Sequence, residues 1–534
     1  MRWLRLSLIL AAIAFAYFFR LGQPLLWSDE ADTGILARNV LRFGYPTAFD
    51  GRNVSLADDG AQLNRGLLSK KIPWVQYYVG ALSLAVFGND TAGLRALFAL
   101  CGLLAFFPIR AALQGRVRQP DLLAALALLA PQVVLLQRNA RYYSLLILLY
   151  ALLVWHLSAH FKNSRTRWAV ATLLFVLFFH THPFAACCSA CALALFCLGF
   201  RREDLAGYLL AAAVGFVSWL AWYELLGPSL ASAPLTLGLV VSNFRLWCLG
   251  FSLGSTATFI DLDAVGCLPT LALATALAFL WWRRRPALRE LARQPLPAFV
   301  LLNLAVQALA AGAVFGPETG ERLAILRYMP HLLVFALLAG FVALDAAVRS
   351  GAACLLLCTA AVGTNFLGLS HWTAPWGRRV PATWTVPVYA ELLAPPTRAW
   401  NGVIDRLRAD AAAPANRDRV MVVWPPWNNE VMIFYLGDLA LIRQSTLTTV
   451  PTAANGLVFQ AIGAEAARRL SGPPSWIVDA VGILQTTPPH YVLEGDFPTH
   501  LADVYGSIRP ELTRHAFAEA APGGSMRIFR LMPE

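Results

Sequence analysis

Three acidic residues stand together in LWSDEADTGILARNVLRFG: Asp29, Glu30 and Asp32 follow directly on the first apolar run of the chain. Carboxylates at the edge of hydrocarbon are costly unless they are solvated or used. A partly dehydrated one has its pKa pushed toward neutrality, which suits it to take a proton from a hydroxyl group. Asp29 is read as that general base, with Glu30 beside it as the second catalytic candidate. Capping is the plainer role, since Ser28 or Asp29 is a good N-cap for a helix starting near Ala31. It accounts for one acid and leaves the others without a purpose. The following residues have helical spacing, with Ile35, Leu36, Val40 and Phe43 available to lie on a membrane surface, and Gly44 and Pro46 end the helix.

Basic and aromatic groups recur at the starts of apolar runs. In QRNARYYSLLILLYALL, Arg138 and Arg141 precede Tyr142 and Tyr143. A guanidinium fork suits a phosphate, and a tyrosine suits the membrane interface, although snorkelling and aromatic anchoring give the same pattern. In ERLAILRYMPHLLVF, Arg327 and Tyr328 stand in the same relation to a late apolar run. Lys71, in RGLLSKKIPWVQYY, is placed to meet a phosphate or a lipid headgroup. His180 and His182, in FFHTHPF, fall in a tight turn where they could hold a substrate or a metal, or serve as loop residues. Two histidines do not define a metal site, so no metal is required and a divalent ion stays open.

These groups need a scaffold, and the composition points to a membrane. Of 534 residues, 58% are hydrophobic and 14% charged, against about 45–50% and about 25% in soluble domains. The net charge of +12 does not indicate nucleic acid, because the arginines cluster in short loops between apolar runs. Lysine is confined to Lys70, Lys71 and Lys162. Cys187, Cys188 and Cys191 imitate a metal spacing but sit in an apolar helix-like run with no partner pair. No phosphate-binding glycine loop, GxGxxG or serine elbow occurs.

Apolar segments at 3–19, 94–110, 121–137, 143–160, 167–180, 185–200, 206–226, 267–283, 297–315, 328–344 and 351–367 predict about 11 transmembrane helices. Segment 72–88 is read as interfacial or re-entrant. If it crossed, most loop arginines would change to the outer side, against the positive-inside bias. That parity puts the N-terminus in the cytoplasm and loop 20–93 outside. Residues 1–367 then form a transmembrane domain, and 368–534 an extracytoplasmic tail. Within the tail, a helix near 398–410, a strand in RVMVVWPP, helices from about 428 and near 458–470, and strands in SWIVDAV, HYVLEG and MRIFRLMP predict a small α/β domain. Outward arginines plus one base favour a phosphate-bearing donor held in the membrane. A transporter or flippase of lipid-linked sugars is the alternative, although the paired repeats and broken helices of transporters are not evident.

Taken together, the chain resembles GT-C glycosyltransferases, and is similar to protein O-mannosyltransferases and to bacterial lipid A aminoarabinose transferases. Asp29-Glu30 matches the acidic motif of their first outer loop, and 31–43 and 72–88 match their juxtamembrane helices. Lys71, before Ile72-Pro73, resembles a donor-contacting lysine-proline element with an isoleucine interposed. Arg327-Tyr328 and Arg141-Tyr142 resemble arginine-aromatic elements at outer helix mouths. The resemblance implies inverting transfer of a hexosyl or pentosyl group from a polyprenyl-phosphate donor to a hydroxyl of a lipid, glycan or protein. It implies a multi-pass protein of a bacterial inner membrane, surrounded by lipid, with its site on the periplasmic, cell-envelope side.

Overall fold

The structure is a computed structural model. It describes residues 2–55, 63–64, 67–69, 73–159, 161, 163–222, 294–314, 330–363, 388–393, 399–424, 429–443, 470, 473–479, 486–498 and 525–532. The chain forms two compact units, Met1–Arg20 with Phe98–Leu393, and Leu21–Leu97 with Ala394–Glu534.

The first unit is helical. Its chain begins with α1 (Arg2–Phe18). After α2 (Ser28–Phe43) and α3 (Val75–Phe87), which belong to the second unit, α4 (Thr91–Leu104) leads into α5 (Phe106–Leu113), α6 (Pro120–Leu128), α7 (Pro131–Gln137) and α8 (Tyr142–Ser158). Then come α9 (Ser164–Phe179), α10 (Pro183–Phe200), α11 (Leu205–Trp222), α12 (Pro295–Val314), α13 (Pro330–Ala347), α14 (Gly351–Gly363) and α15 (Val388–Leu393). The expected span 121–137 is divided between α6 and α7, because Pro131 has no N–H to continue the first helix and instead opens the second. Among the described residues, Thr91–Leu113, Pro183–Phe200, Arg202–Ala221 and Pro330–Ala347 are long and apolar enough to cross a bilayer, and shorter apolar helices include Trp3–Phe18 and Tyr142–Ser158. The chain is a multi-pass membrane protein. Segment 267–283 lies outside the described residues.

Helix packing in this unit pairs α9 with α11, α10 with α12, and α8 with α5 and α13. A polar chain crosses its interior. Asn303 Nδ2 donates to Ser189 Oγ at 3.1 Å, Gln307 Nε2 to Asn303 Oδ1 at 2.5 Å, and Gln307 Nε2 meets His331 Nε2 at 3.0 Å. Such bonds join α10, α12 and α13 where lipid offers no competing water. At one end of the bundle, Asp121 accepts from Arg5 at 2.7 Å and from Arg110 at 2.5 Å, and Arg118 pairs with Asp345 at 3.0 Å.

In the second unit, α2, α3, α16 (Ala399–Ala411) and α17 (Asn429–Leu436) accompany a five-stranded sheet. Its strands are β1 (Val420–Trp424), β2 (Leu441–Arg443), β3 (Trp476–Asp479), β4 (Tyr491–Pro498) and β5 (Ser525–Leu531), in the order β2-β1-β3-β5-β4. β1 runs parallel to β2 and β3, and β5 runs antiparallel to β3 and β4. The three-residue β2 has no counterpart in the sequence reading, being too short to show alternation. The expected helix near 458–470 falls almost wholly outside the described residues.

α2 differs from its expected role in two ways. It begins at Ser28, with Trp27 at the N-cap and no side-chain cap, so neither Ser28 nor Asp29 caps it. Ile35, Leu36 and Val40 do not lie on a membrane surface. They are buried within the protein, because α3 and α17 pack against α2. Its end is as expected: Gly44 adopts φ 87° and returns its N–H to Val40 O at 2.8 Å. Arg38 stacks over the Phe434 ring at 3.7 Å and donates to Phe434 O at 2.6 Å. Asn53 donates to Gly437 O and Ala440 O and accepts from Ile442 N–H.

At Gly34 the helices α2 and α17 approach closely, since a Cβ there would meet Phe434 at 2.5 Å and Leu94 at 3.0 Å. Gly34→Val is therefore expected to lower stability by about 1–3 kcal/mol through overpacking, read as a lower Tm of the purified protein. An unchanged Tm would show that α2 and α17 are not closely packed.

Candidate active site

The acidic pole is built on the first turn of α2, where carboxylates are favoured by the helix dipole. Glu30 is fully buried and held by Arg95 of α4: Nε donates to Oε1 at 2.8 Å and Nη2 to Oε2 at 2.5 Å. Arg95 Nη1 also donates to Leu21 O at 3.0 Å and Pro24 O at 2.6 Å, and Nη2 to Leu25 O at 3.2 Å. All five N–H groups of the guanidinium are thus used. Both oxygens of Glu30 face a fixed cation, which suits it to orient the turn rather than to accept a substrate proton.

Asp29, next to it, is half-buried, and its backbone carbonyl accepts from Thr33 Oγ1 at 2.9 Å. Asp32 is buried and accepts from Ser55 Oγ at 2.9 Å. A fourth acid comes from far along the chain. Glu430, in the first turn of α17, is buried, and its Oε2 accepts from Ser28 Oγ at 3.3 Å. Burial, and then the charge of Asp32, push its carboxyl up to about 8. Beside it, Asn429 is fully buried, with neither amide atom hydrogen-bonded among the described residues.

In the first unit, the basic and aromatic candidates fall into two groups. Arg138 is buried at the end of α7 and serves the end of α1: Nη1 donates to Ala16 O, Tyr17 O and Phe19 O at 2.9–3.1 Å, and Nη2 to Arg20 O at 3.3 Å. These are carbonyls that a helix terminus leaves without intrahelical partners. Arg141, the N-cap of α8, is buried with its Cζ 5.6 Å from the Tyr142 ring. Tyr142 lies 4.9 Å from both Tyr143 and His182. His182 Nδ1 accepts from Ala185 N–H at 3.1 Å and caps α10. Desolvation, reinforced by the charge of Arg141, lowers its imidazole to about 4, so the ring is neutral and its Nδ1 lone pair is available for that bond. His180 Nε2 meets Ser218 Oγ at 3.3 Å. Among the described residues, no group of three or more His, Cys, Asp or Glu could hold a metal. Lys71, Arg327 and Tyr328 lie outside the described residues.

Arg95, Asn429 and Glu430 were not singled out from sequence. Arg95 did carry a signal, as a lone charge within the apolar run TAGLRALFAL. Glu430 precedes a short apolar run in NNEVMIFYL, a pattern shared with any helix start.

Two outcomes follow from this geometry. Arg95→Ala strands Glu30 in the interior and is expected to cost about 3–5 kcal/mol. Adding Glu30→Gln should recover part of that loss in chemical denaturation, and equal stability of wild type and Arg95→Ala would refute the buried pair. Glu430 has an ordinary pKa of 4.5 and a folded value of about 8. Between these values the unfolded chain releases a proton that the folded chain keeps, so stability falls as pH rises through that window. Glu430→Gln should therefore gain in Tm relative to wild type from about pH 4.5 upward, with the gain complete above about pH 8.

No family model matches the chain, and no curated protein matches it. Among solved structures, it resembles ArnT from Cupriavidus metallidurans bound to undecaprenyl phosphate, with a TM-score of 0.50 and 16% identity over 89% of this chain and 92% of that one. The apo state of the same protein gives a TM-score of 0.54 and 14% identity over the same shares. The archaeal oligosaccharyltransferase AglB from Archaeoglobus fulgidus, in complex with an inhibitory peptide and a dolichol-phosphate, aligns over 98% of this chain and 88% of that one, at a TM-score of 0.40 and 12% identity. The likeness to ArnT, a lipid A aminoarabinose transferase of the GT-C superfamily, is one of fold.

Proposed function

We propose that the chain is a glycosyltransferase of the GT-C type, which moves a sugar from a polyprenyl-phosphate donor to an acceptor hydroxyl at the outer face of a bacterial inner membrane. The observation that carries this reading is the turn after α1: Glu30 is locked by Arg95, while the adjacent Asp29 keeps part of its surface exposed. Undecaprenyl phosphate bound to ArnT, which shares this fold, supports the donor class.

Asp29 takes the proton of the acceptor hydroxyl. The acceptor oxygen forms a bond to the anomeric carbon from the face opposite the phosphate. The bond from that carbon to the phosphate oxygen breaks, polyprenyl phosphate leaves with its electron pair, and configuration inverts. Glu30 holds the turn that carries the base. Arg141, with its charge set against Tyr142, is assigned to the donor phosphate, as are Lys71, Arg327 and Tyr328. A guanidinium fork matches phosphate oxygens and stabilises the charge that develops on departure. Arg138 acts from behind, by fixing the end of α1. His180 and His182 hold the turn before α10. Residues 1–367 form the transmembrane catalytic domain in this reading, and 368–534 the extracytoplasmic one.

The test is turnover of a panel of undecaprenyl-phosphate sugars by the purified protein in lipid nanodiscs. Asp29→Asn should lower turnover by about 10²–10⁴-fold while undecaprenyl phosphate binding stays within about twofold of wild type. Full activity in that variant would exclude Asp29 as the base. Arg141→Ala should weaken undecaprenyl phosphate binding by about tenfold or more, the scale of a charge-assisted bond. Unchanged affinity would remove Arg141 from the phosphate site.

A further inference from the structure

The Asp29 turn is not completed by its own neighbourhood in sequence. Ser28 Oγ donates to Glu430 Oε2 at 3.3 Å, a bond that spans 402 positions of the chain. We propose that Glu430 is a positioning residue for the reaction assigned to Asp29: the C-terminal segment places its carboxyl against Ser28, on the turn that bears Asp29, and so sets the orientation and charge of that turn. The inference rests on the transferase reading above and gives the C-terminal segment a part in it.

Three observations carry it. Packing delivers Glu430 to this place, since Gly34 admits Phe434 and Arg38 grips Phe434 by ring and carbonyl, fixing α17 along α2. Chemistry selects its state, because a buried carboxyl beside Asp29 and Asp32 keeps its proton near neutral pH. It can then accept from Ser28 without adding a third negative charge next to the base. Asn429, buried and without a hydrogen bond among the described residues, leaves amide capacity at the same helix start. A buried polar group of this kind normally has a hydrogen-bond partner.

Among the described residues, the charges around Glu430 are few. From α2 come Asp29 and Asp32, with Glu30 neutralised by Arg95. From α17 itself, the Tyr435 hydroxyl is engaged by Thr91 and by Leu26 N–H. From α16, Arg408 reaches the Tyr435 carbonyl at 3.4 Å, and from β2, Arg443 donates to Leu470 O. Above about pH 8 the ionised Glu430 crowds the two α2 carboxylates, and transfer slows.

The experiment compares full-length wild type, Glu430→Ala and Glu430→Gln in nanodiscs, with undecaprenyl-phosphate sugars as donors, between about pH 6 and 9. Undecaprenyl phosphate binding is measured in parallel. Glu430→Ala should lose kcat by about tenfold or more with KM and lipid binding little changed, the pattern of a group that acts in the transition state. Glu430→Gln, neutral and of the same shape, should rescue most of that loss and abolish the fall in rate above about pH 8. Wild-type kcat in Glu430→Ala, or a persisting inflection in Glu430→Gln, would overturn the proposal.

Infrared difference spectra of wild type against Glu430→Gln form an independent arm. They should show a protonated carboxyl band that titrates near pH 8, and its absence overturns the proposal whatever the turnover. A wild type that consumes no donor overturns the transferase reading instead, and the spectra then decide the state of Glu430 on their own.

Discussion

A guanidinium inside an apolar helix is tolerated only when its charge and its donors are matched. Arg95 meets that condition with a single carboxylate and three carbonyls, and in doing so it shapes the chain between α1 and α2. Leu21, Pro24 and Leu25 offer carbonyls with no helix or sheet to receive them, and Glu30 brings the charge. Lysine at this position could not reproduce the fork, since it has three donors on one point charge. One buried ion pair therefore fixes the Glu30 side of the turn that carries Asp29.

Arg138 performs the related task one step earlier, in the first unit. Its guanidinium receives the last carbonyls of α1, up to that of Arg20, whose φ of 52° takes the chain out of the helix. A left-handed arginine is strained unless its surroundings fix it. Arg20 is held by these bonds and by its own donation to Leu393 O at 2.8 Å. Two arginines that look alike in sequence thus do different work: Arg138 closes a helix, whereas Arg141 opens one beside an aromatic ring.

Much of the scaffold was legible in the sequence because periodicity reports burial directly. The helices Tyr142–Ser158, Pro183–Phe200 and Pro330–Ala347 fall close to their expected ranges, and β1, β3, β4 and β5 lie where alternation and β-branched residues placed them. The stop of α2 at Gly44 was readable from local chemistry alone. What escaped depends on residues distant in the chain. An amphipathic helix on a bilayer and one buried under α3 and α17 have the same pattern, so Ile35 and Leu36 could not reveal which surface covers them. Glu30 and Asp29 are likewise adjacent acids of one type, and only the position of Arg95 distinguishes the locked one from the partly exposed one. Glu430 had no sequence context to tie it to Ser28.

The docking of α17 on α2 also constrains how the molecule is made. Arg38 and Phe434 are separated by 396 positions, so α2 leaves the ribosome long before the surface that will cover Gly34, Ile35 and Leu36 exists. Contacts of such sequence separation close late and slowly. During that interval the nascent chain carries α2 with its apolar side, Ile35, Leu36 and Val40, uncovered. Maturation then requires α2 to be taken over by the newly folded C-terminal segment. A chain interrupted before residue 429 would keep its helices and never finish the turn on which its acids stand.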